Sequence, residues 1–133
     1  MTPKRVTLPK LKDGAGNAIT KKVIFSTIKH SKDGRAWISC SSGHILEVKG
    51  SATAHDKIHD KAVYCVNVIE HEGKEILLSG SADHTIKLHS IQGALQLLKT
   101  LNVGANAIPR SLDMMTNAKV GTKILAGLNN GCI

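Results

Sequence analysis

Short apolar runs separated by polar breaks occur along most of this chain, and the runs have the length of β-strands. Val63–Ile69 is rich in β-branched residues, and Ile76–Gly80 and Thr85–His89 follow it after polar or small-residue breaks. Runs of this length that are bounded by turn residues are typical of strands joined in an antiparallel meander. Leu95–Leu101 is predicted as the fourth, outer strand of the same unit. No helix of ordinary length is predicted in the chain.

The same pattern occurs earlier in the chain. Val23–Lys29, Ala36–Cys40 and His44–Val48 are three further runs of strand length, and a polar turn at Ser31–Arg35 separates the first two. The sequence therefore predicts another meander ahead of the one just described.

Three segments match one another when the predicted second strands are aligned. Ile38–Ile45 aligns with Leu78–Ile86, with one gap, and Leu125–Ile133 is a third copy that Pro109–Met115 would open. The copies begin 40 and 47 residues apart. Periods of about 40–45 residues with four short strands per unit are typical of β-propeller blades. We therefore predict an all-β chain of small, stacked, repeated sheets.

Four polar residues of the central unit lie where they can tie its strands together. His59 lies in the loop that opens the unit, Ser79 lies in its second strand, and Asp83 lies in the turn that follows. A carboxylate in such a turn can accept hydrogen bonds from backbone N–H groups. We predict that His59, Ser79 and Asp83 form a structural hydrogen-bond relay, with His89 at the end of the third strand as its fourth member. Other residues replace Asp83 in the other two copies, so the relay is expected in one unit only.

The residue pattern of the central unit resembles one repeat of a WD-repeat β-propeller. His59 is followed by a strand and then by Leu-Ser-Gly-Ser-x-Asp-x-Thr-Ile-Lys-Leu at residues 78–88. The segment Ser-Ser-Gly-His-Ile-Leu at residues 41–46, with Arg110, Ile124–Gly127 and Asn130, is similar to the first propeller of the echinoderm microtubule-associated protein-like family. This resemblance spans about residues 23–133. One departure is His89, which stands where the family usually has tryptophan.

The resemblance implies a division of the chain into blades. Residues 1–22 would be a basic segment that completes a preceding blade, residues 23–50 one blade, residues 51–103 a second, and residues 104–133 an incomplete blade. Closed propellers contain about four to eight blades. The chain is therefore expected to be a partial propeller of about three blades, or a fragment of a larger one, that pairs with the remaining blades.

The resemblance also implies a function. We expect a non-catalytic protein-interaction module that associates with tubulin or the microtubule wall, in the cytoplasm, at the cytoskeleton or in an axoneme. The alternative is a general adaptor propeller with an unrelated protein partner.

Positive charge is concentrated in the first 35 residues. The 133-residue chain has a net charge of +8, and this segment holds nine Lys and Arg residues against Asp13 and Asp33. Such a field favours an acidic partner surface, whereas a solvated lysine-rich face is the alternative interpretation. We predict that an acidic partner such as tubulin contacts the basic residues of this segment: Lys4, Arg5, Lys10, Lys12, Lys21, Lys22, Lys29, Lys32 and Arg35.

Catalytic and metal chemistry has less support in the residues. His55 and His59 are four residues apart and could bind zinc on a helix, but the segment is predicted as a loop without further ligands nearby. Ser79 does not lie in a Gly-x-Ser-x-Gly elbow, so a hydrolase triad is not predicted. We expect no enzyme activity, no metal and no cofactor, and keep a hydrolase or metal protein using His55 and His59 as the third hypothesis.

Nucleic acid and membrane partners are not expected either. Aromatic residues, on which bases would stack, make up only 2% of the chain. The chain has no run of 18 apolar residues, so no membrane span is predicted. Cys40, Cys65 and Cys132 have neither disulfide-framework nor zinc spacing, which favours an intracellular, reducing setting.

Overall fold

The structure, a computed structural model, describes residues 24–54, 58–117 and 121–129. The regular secondary structure in these ranges is all β-strand, so the predicted all-β class is confirmed. The strands are β1 (Phe25–His30), β2 (Ala36–Cys40), β3 (Ile45–Lys49), β4 (Ser51–Ala54), β5 (Val63–His71), β6 (Lys74–Ser81), β7 (Thr85–Ser90), β8 (Gln96–Asn102), β9 (Pro109–Asn117) and β10 (Gly121–Leu128).

These strands form three antiparallel sheets in chain order. The first sheet has the order β1-β2-β3-β4, the second has the order β5-β6-β7-β8, and β9 pairs with β10 in the third. Every pairing within a sheet joins strands that are consecutive in sequence. The two four-stranded sheets are therefore meanders of the same design, as the repeated runs predict.

The first sheet contains a strand that the predicted division assigns to the next unit. Ser51–Ala54 forms β4 and pairs with β3 in antiparallel register. Gly50, between these strands, has a φ of +77°, a left-handed conformation that glycine adopts without a Cβ clash. The chain reverses at Gly50, so the first sheet extends to Ala54 rather than ending at residue 50.

One face of the second sheet packs against the first sheet. Trp37 and Ile45 of the first sheet cluster with Val63, Val66 and Leu77 of the second, and all five are buried. Trp37 is the largest fully buried side chain among the described residues. Burying apolar surface contributes roughly 25 cal/mol per Å² removed from water, so this cluster is a main source of the adhesion between the two sheets.

The opposite face of the second sheet packs against the third. Ile76 and Leu78 flank Leu77 along β6 and so face away from the first sheet, because side chains alternate across a strand. They cluster with Cys65 of β5 and with Leu112 of β9. Both faces of the second sheet are therefore covered, which explains why Ile76–Leu78 of β6 are consecutive apolar residues rather than an alternation of apolar and polar ones.

The first strands of the three sheets lie side by side. Ser26 Oγ of β1 donates a hydrogen bond to the Val63 carbonyl oxygen of β5 at 2.7 Å. Asn67 Nδ2 of β5 donates to the Leu112 carbonyl oxygen of β9 at 2.9 Å. The edge strands β1, β5 and β9 therefore follow one another along the same side of the stacked sheets.

Candidate functional site

A hydrogen-bonded cluster around His59 connects three separate segments of the second unit. His59 Nε2 lies 2.9 Å from Ser79 Oγ, and His59 Nδ1 lies 3.0 Å from Asp83 Oδ2. His59 belongs to the loop before β5, Ser79 lies in β6, and Asp83 lies in the turn between β6 and β7. The structure thus brings together three of the four residues predicted for the relay.

Backbone hydrogen bonds fix the carboxylate of Asp83 in this cluster. The Thr85 N–H donates to Asp83 Oδ1 at 3.0 Å, and the Asp60 N–H donates to Asp83 Oδ2 at 3.2 Å. The Asp83 N–H in turn donates to Ser81 Oγ at 3.1 Å. Aspartate at a turn commonly accepts such bonds from the residues that follow it. The carboxylate therefore joins the β6–β7 turn to the loop that carries His59.

Burial determines the protonation state of His59. It lowers the pKa of His59 below the ordinary 6.5, although the Asp83 carboxylate opposes this shift. Burial alone would raise the pKa of Asp83, but the hydrogen bond from Thr85 and the proximity of His59 outweigh it, and that pKa is lowered. Neutral His59 then donates its Nδ1–H to Asp83 and accepts a hydrogen bond from the Ser79 hydroxyl at Nε2.

The order Asp83, His59, Ser79 is also that of a hydrolase triad, but substrate access is missing here. Ser79 is 0% exposed and His59 is 1% exposed. A nucleophilic hydroxyl must reach the carbonyl carbon of its substrate, and protein covers the Ser79 hydroxyl in this structure. The geometry therefore supports a structural tie between the loop, the strand and the turn.

His89, the fourth residue of the predicted relay, lies further along β7. It is buried and pairs in register with Leu77, whereas Ser79 pairs with Lys87. His89 thus lies two residue pairs further from the Asp83 turn than the Ser79–Lys87 pair does. Its participation in the relay stays a prediction.

The first sheet uses the matching serine differently. Ser39, which aligns with Ser79, accepts a hydrogen bond from the Thr27 N–H at 2.9 Å and lies 3.0 Å from Ser26 Oγ, oxygen to oxygen. Gly43 stands at the position of Asp83 and has no side chain to complete a relay. In this sheet the serine therefore ties β2 to β1 directly.

Three of the nine basic residues predicted to contact a partner lie in the described ranges. Lys29 is exposed on β1, and Arg35 is described below. Lys32 is exposed, but its ammonium forms an ion pair with Glu70 of the second sheet. Its backbone N–H donates to Glu75 Oε1 at 3.0 Å. The Glu70 carboxylate raises the pKa of Lys32. Six residues lie outside the described ranges: Lys4, Arg5, Lys10, Lys12, Lys21 and Lys22.

Arg35 is buried, in contrast to the partner contact predicted for it. Its guanidinium donates to Asp33 Oδ2 at 2.7 Å, to the Gly93 carbonyl oxygen at 2.9 Å and to the Ile91 carbonyl oxygen. It also lies over the Trp37 ring, 5.0 Å from the centroid. Arg35 is only 6% exposed and serves as an internal tie between the first and second sheets. It is therefore not one of the basic residues available to contact an acidic partner.

The fold brings together one pair of side chains that the sequence pattern did not pair. The guanidinium carbon of Arg110 in β9 lies 4.3 Å from the ring centroid of Tyr64 in β5. Each residue is the second of the first strand in its sheet. Tyr64 and Arg110 thus hold equivalent positions in consecutive units, and an alignment of the repeats is the sequence signal that could have paired them.

Thiol and metal chemistry have little support in the described part of the chain. Cys40 and Cys65 are buried, and burial raises the pKa of each thiol to about 11, which leaves little thiolate at neutral pH. Within these ranges no group of three or more His, Cys, Asp or Glu side chains is arranged to hold a metal ion. His55, the other histidine of the zinc hypothesis, lies outside them.

Comparisons with known proteins do not identify a family. No family model matches the sequence, and searches of curated proteins and of solved structures give no significant match. The WD-repeat resemblance therefore depends on the residues quoted above.

In the described residues, no helix is long and apolar enough to cross a membrane.

Proposed function

We propose that this chain is part of a WD-repeat β-propeller and acts as a non-catalytic protein-interaction module. The observation that supports this most is the repeated unit. The same four-stranded antiparallel meander occurs in β1–β4 and in β5–β8, and β9–β10 continues the series. Sheets that stack face to face with their first strands adjacent are the arrangement from which propellers are built.

The His59 cluster gives this proposal a second support. It joins the opening loop of the unit to the turn between its second and third strands through Ser79 and Asp83. A tie at this place holds connecting loops rigidly on the sheets, and rigid loops are what an interaction module presents to a partner.

The outer faces of the stack supply a reason to propose further blades. Ile28 pairs with Ile38 on the face of the first sheet that is opposite to Trp37, and Ile28 is 55% exposed. Met115 and Leu125 lie on the corresponding outer face of the third sheet, and Leu125 is 42% exposed. Neighbouring sheets of the same propeller would cover these apolar side chains in the way the second sheet covers Trp37.

We propose the microtubule as the partner, with the cytoplasm or an axoneme as the setting. The support is the family resemblance together with the net charge of +8, which is concentrated in residues 1–35. Opposite charge speeds association and makes it sensitive to salt. Lys29 is an exposed member of this basic set in the described ranges, whereas Arg35 is buried.

Co-sedimentation with polymerised microtubules tests the partner. We expect the chain to pellet with microtubules at low salt and to be released at high salt. Charge reversal in the triple variant Lys21→Glu, Lys22→Glu, Lys29→Glu should weaken binding by about tenfold or more, because three attractions become repulsions. The matched control reverses three exposed lysines elsewhere (Lys74→Glu, Lys99→Glu, Lys123→Glu) and should bind more tightly than the first variant.

A general adaptor with a different protein partner is the second candidate. The use of Lys32 and Arg35 as ties between sheets favours it, since fewer basic residues are then available to a partner. A folded chain that does not pellet at low salt would support the adaptor and exclude the microtubule proposal. Equal pelleting of both triple variants would exclude the basic segment as the microtubule contact.

A further inference from the structure

Two arginines in the described ranges lie over aromatic rings, and their surroundings differ. Arg35 lies 5.0 Å from the centroid of Trp37, and Arg110 lies 4.3 Å from the centroid of Tyr64. Arg35 is buried and its guanidinium donates to a carboxylate and to two backbone carbonyls. Its hydrogen-bonding capacity is therefore used within the protein.

Arg110 is exposed, and no described residue accepts a hydrogen bond from it or forms an ion pair with it. A guanidinium carries five N–H donors in a planar fork and has no acceptor. Among the described residues the stacked cation of Arg110 thus has no hydrogen-bond acceptor, whereas the stacked cation of Arg35 donates to three.

The backbone that leads into Arg110 is held firmly. The Ile108 N–H donates to Asn129 Oδ1 at 2.8 Å, and the Asn129 N–H donates to the Ile108 carbonyl oxygen at 2.9 Å. Pro109 packs so closely on Gly80 that a Cβ there would lie 3.0 Å from the proline ring. Because the strand is fixed and the Tyr64 ring restricts the guanidinium, less conformational entropy is lost when a ligand binds.

We propose that Arg110, stacked on Tyr64, forms a carboxylate-binding site for a glutamate or aspartate side chain of a protein partner. A planar guanidinium fork matches a carboxylate with two parallel hydrogen bonds. Phosphate sites usually add backbone N–H groups at a helix start or a glycine-rich loop, and the described residues here are strands without such a helix. The inference rests on the proposed function only in taking the partner to be a protein.

The test measures binding of a fluorescently labelled polyglutamate peptide by anisotropy, using the full chain. Arg110→Gln should weaken binding by about tenfold or more, and Arg110→Lys should fall between it and the unaltered chain because the fork is lost but the charge is kept. Tyr64→Leu should weaken binding several-fold, whereas Tyr64→Phe keeps the ring face and should bind as the unaltered chain does. Lys99→Gln, which removes one exposed charge from β8, is the matched control and should change affinity by less than about twofold.

Equal losses in Arg110→Gln and Lys99→Gln would overturn the proposal, because they would indicate attraction by net charge alone. Absence of polyglutamate binding by the unaltered chain would overturn it as well. Thermal unfolding of each variant checks that the sheets remain intact, and Tyr64→Leu tests the site independently of any change at Arg110.

Microtubule pelleting of the same variants separates this inference from the proposed function. A chain that binds polyglutamate through Arg110 but does not pellet would keep the site and exclude the microtubule. A chain that pellets equally with and without Arg110→Gln would keep the microtubule proposal and exclude Arg110 from that contact.

Discussion

Basic residues have different roles in this protein according to whether their side chains are exposed or buried. Lys29 and Arg110 are exposed, whereas Arg35 is buried between the first and second sheets. Arg35 is stabilised there by its hydrogen bonds to Asp33 and to backbone carbonyls, since a buried cation without such partners would be costly. The basic character of the first 35 residues therefore serves internal cohesion as well as surface charge.

We expect His59 to make folding stability fall in mild acid. The unfolded chain protonates His59 near its ordinary pKa of 6.5, whereas burial keeps the folded residue neutral to lower pH. The contribution of His59 to folding stability is therefore complete above pH 6.5. It is lost as the pH falls from 6.5 toward the pKa of His59 in the folded chain. Asp83 also has a lowered pKa, but the pH range in which its titration affects stability lies below the ordinary carboxyl pKa of 3.8. Urea unfolding at a series of pH values measures this dependence.

The variant His59→Gln isolates the contribution of His59. It should flatten the pH dependence of the free energy of unfolding by up to about 1.4 kcal/mol per pH unit in that window. It should also lower stability at neutral pH by about 1–3 kcal/mol, because Ser79 and Asp83 lose a buried partner. His30→Gln, at an exposed histidine of β1, is the matched control. A pH dependence unchanged by His59→Gln would show that the buried histidine is not the source.

At the scale of the strands, β6 is the element on which the stack depends most. It is buried on both faces, with Leu77 toward the first sheet and Leu78 toward the third. Gly80 near its end allows close contact with Pro109 at the start of β9 and with Cys65 of β5. Glycine is required here for close approach rather than for an unusual backbone angle.

We expect Gly80→Ala to weaken the contact between the second and third sheets. The added Cβ would lie 2.8 Å from Cys65 Sγ and 3.0 Å from Pro109 Cβ, both too close for ordinary contact. Overpacking of this kind typically costs about 1–3 kcal/mol, measurable by urea unfolding. The double variant Gly80→Ala, Cys65→Ala should recover part of the loss, because the sulfur is removed while Pro109 remains. Additive effects of the two substitutions would contradict the predicted clash.

The sequence predicts strands well here where local pattern determines them. The bounds predicted for β2, Ala36–Cys40, agree with the structure, because apolar residues and flanking turns mark both ends. β4 was not predicted, since the short polar and small residues of Ser51–Ala54 carry no alternating pattern. Nor could local sequence reveal the burial of Arg35, whose acceptors at Ile91 and Gly93 lie 56 and 58 residues away.

The His59 cluster was easier to foresee than the surface chemistry. Its three members are polar residues within apolar strands and turns of one unit, and buried polar groups require partners. Contacts between units, such as Lys32 with Glu70 and Arg110 with Tyr64, depend on how the sheets stack. The pattern within one unit does not contain that information.

At the scale of the whole molecule, the two outer faces of the stack carry exposed apolar side chains. Ile28 on the first sheet and Leu125 on the third are both about half exposed, although each lies on a sheet whose other face is packed. Fully burying one such side chain is worth about 1.5–3 kcal/mol. Where no neighbouring sheet covers them, these faces provide a favourable contact for a second copy of the chain.

We therefore expect this chain to self-associate in a concentration-dependent way, which sedimentation velocity measures. The double variant Ile28→Lys, Leu125→Lys should raise the dissociation constant of self-association by about tenfold or more, because each lysine would have to be desolvated in the contact. Leu98→Lys replaces an equally exposed leucine on the edge strand β8 and is the matched control, expected to have a smaller effect. Should the unaltered chain remain monomeric at all concentrations, or should Leu98→Lys reduce association as much, the outer faces would not be the surfaces that pair.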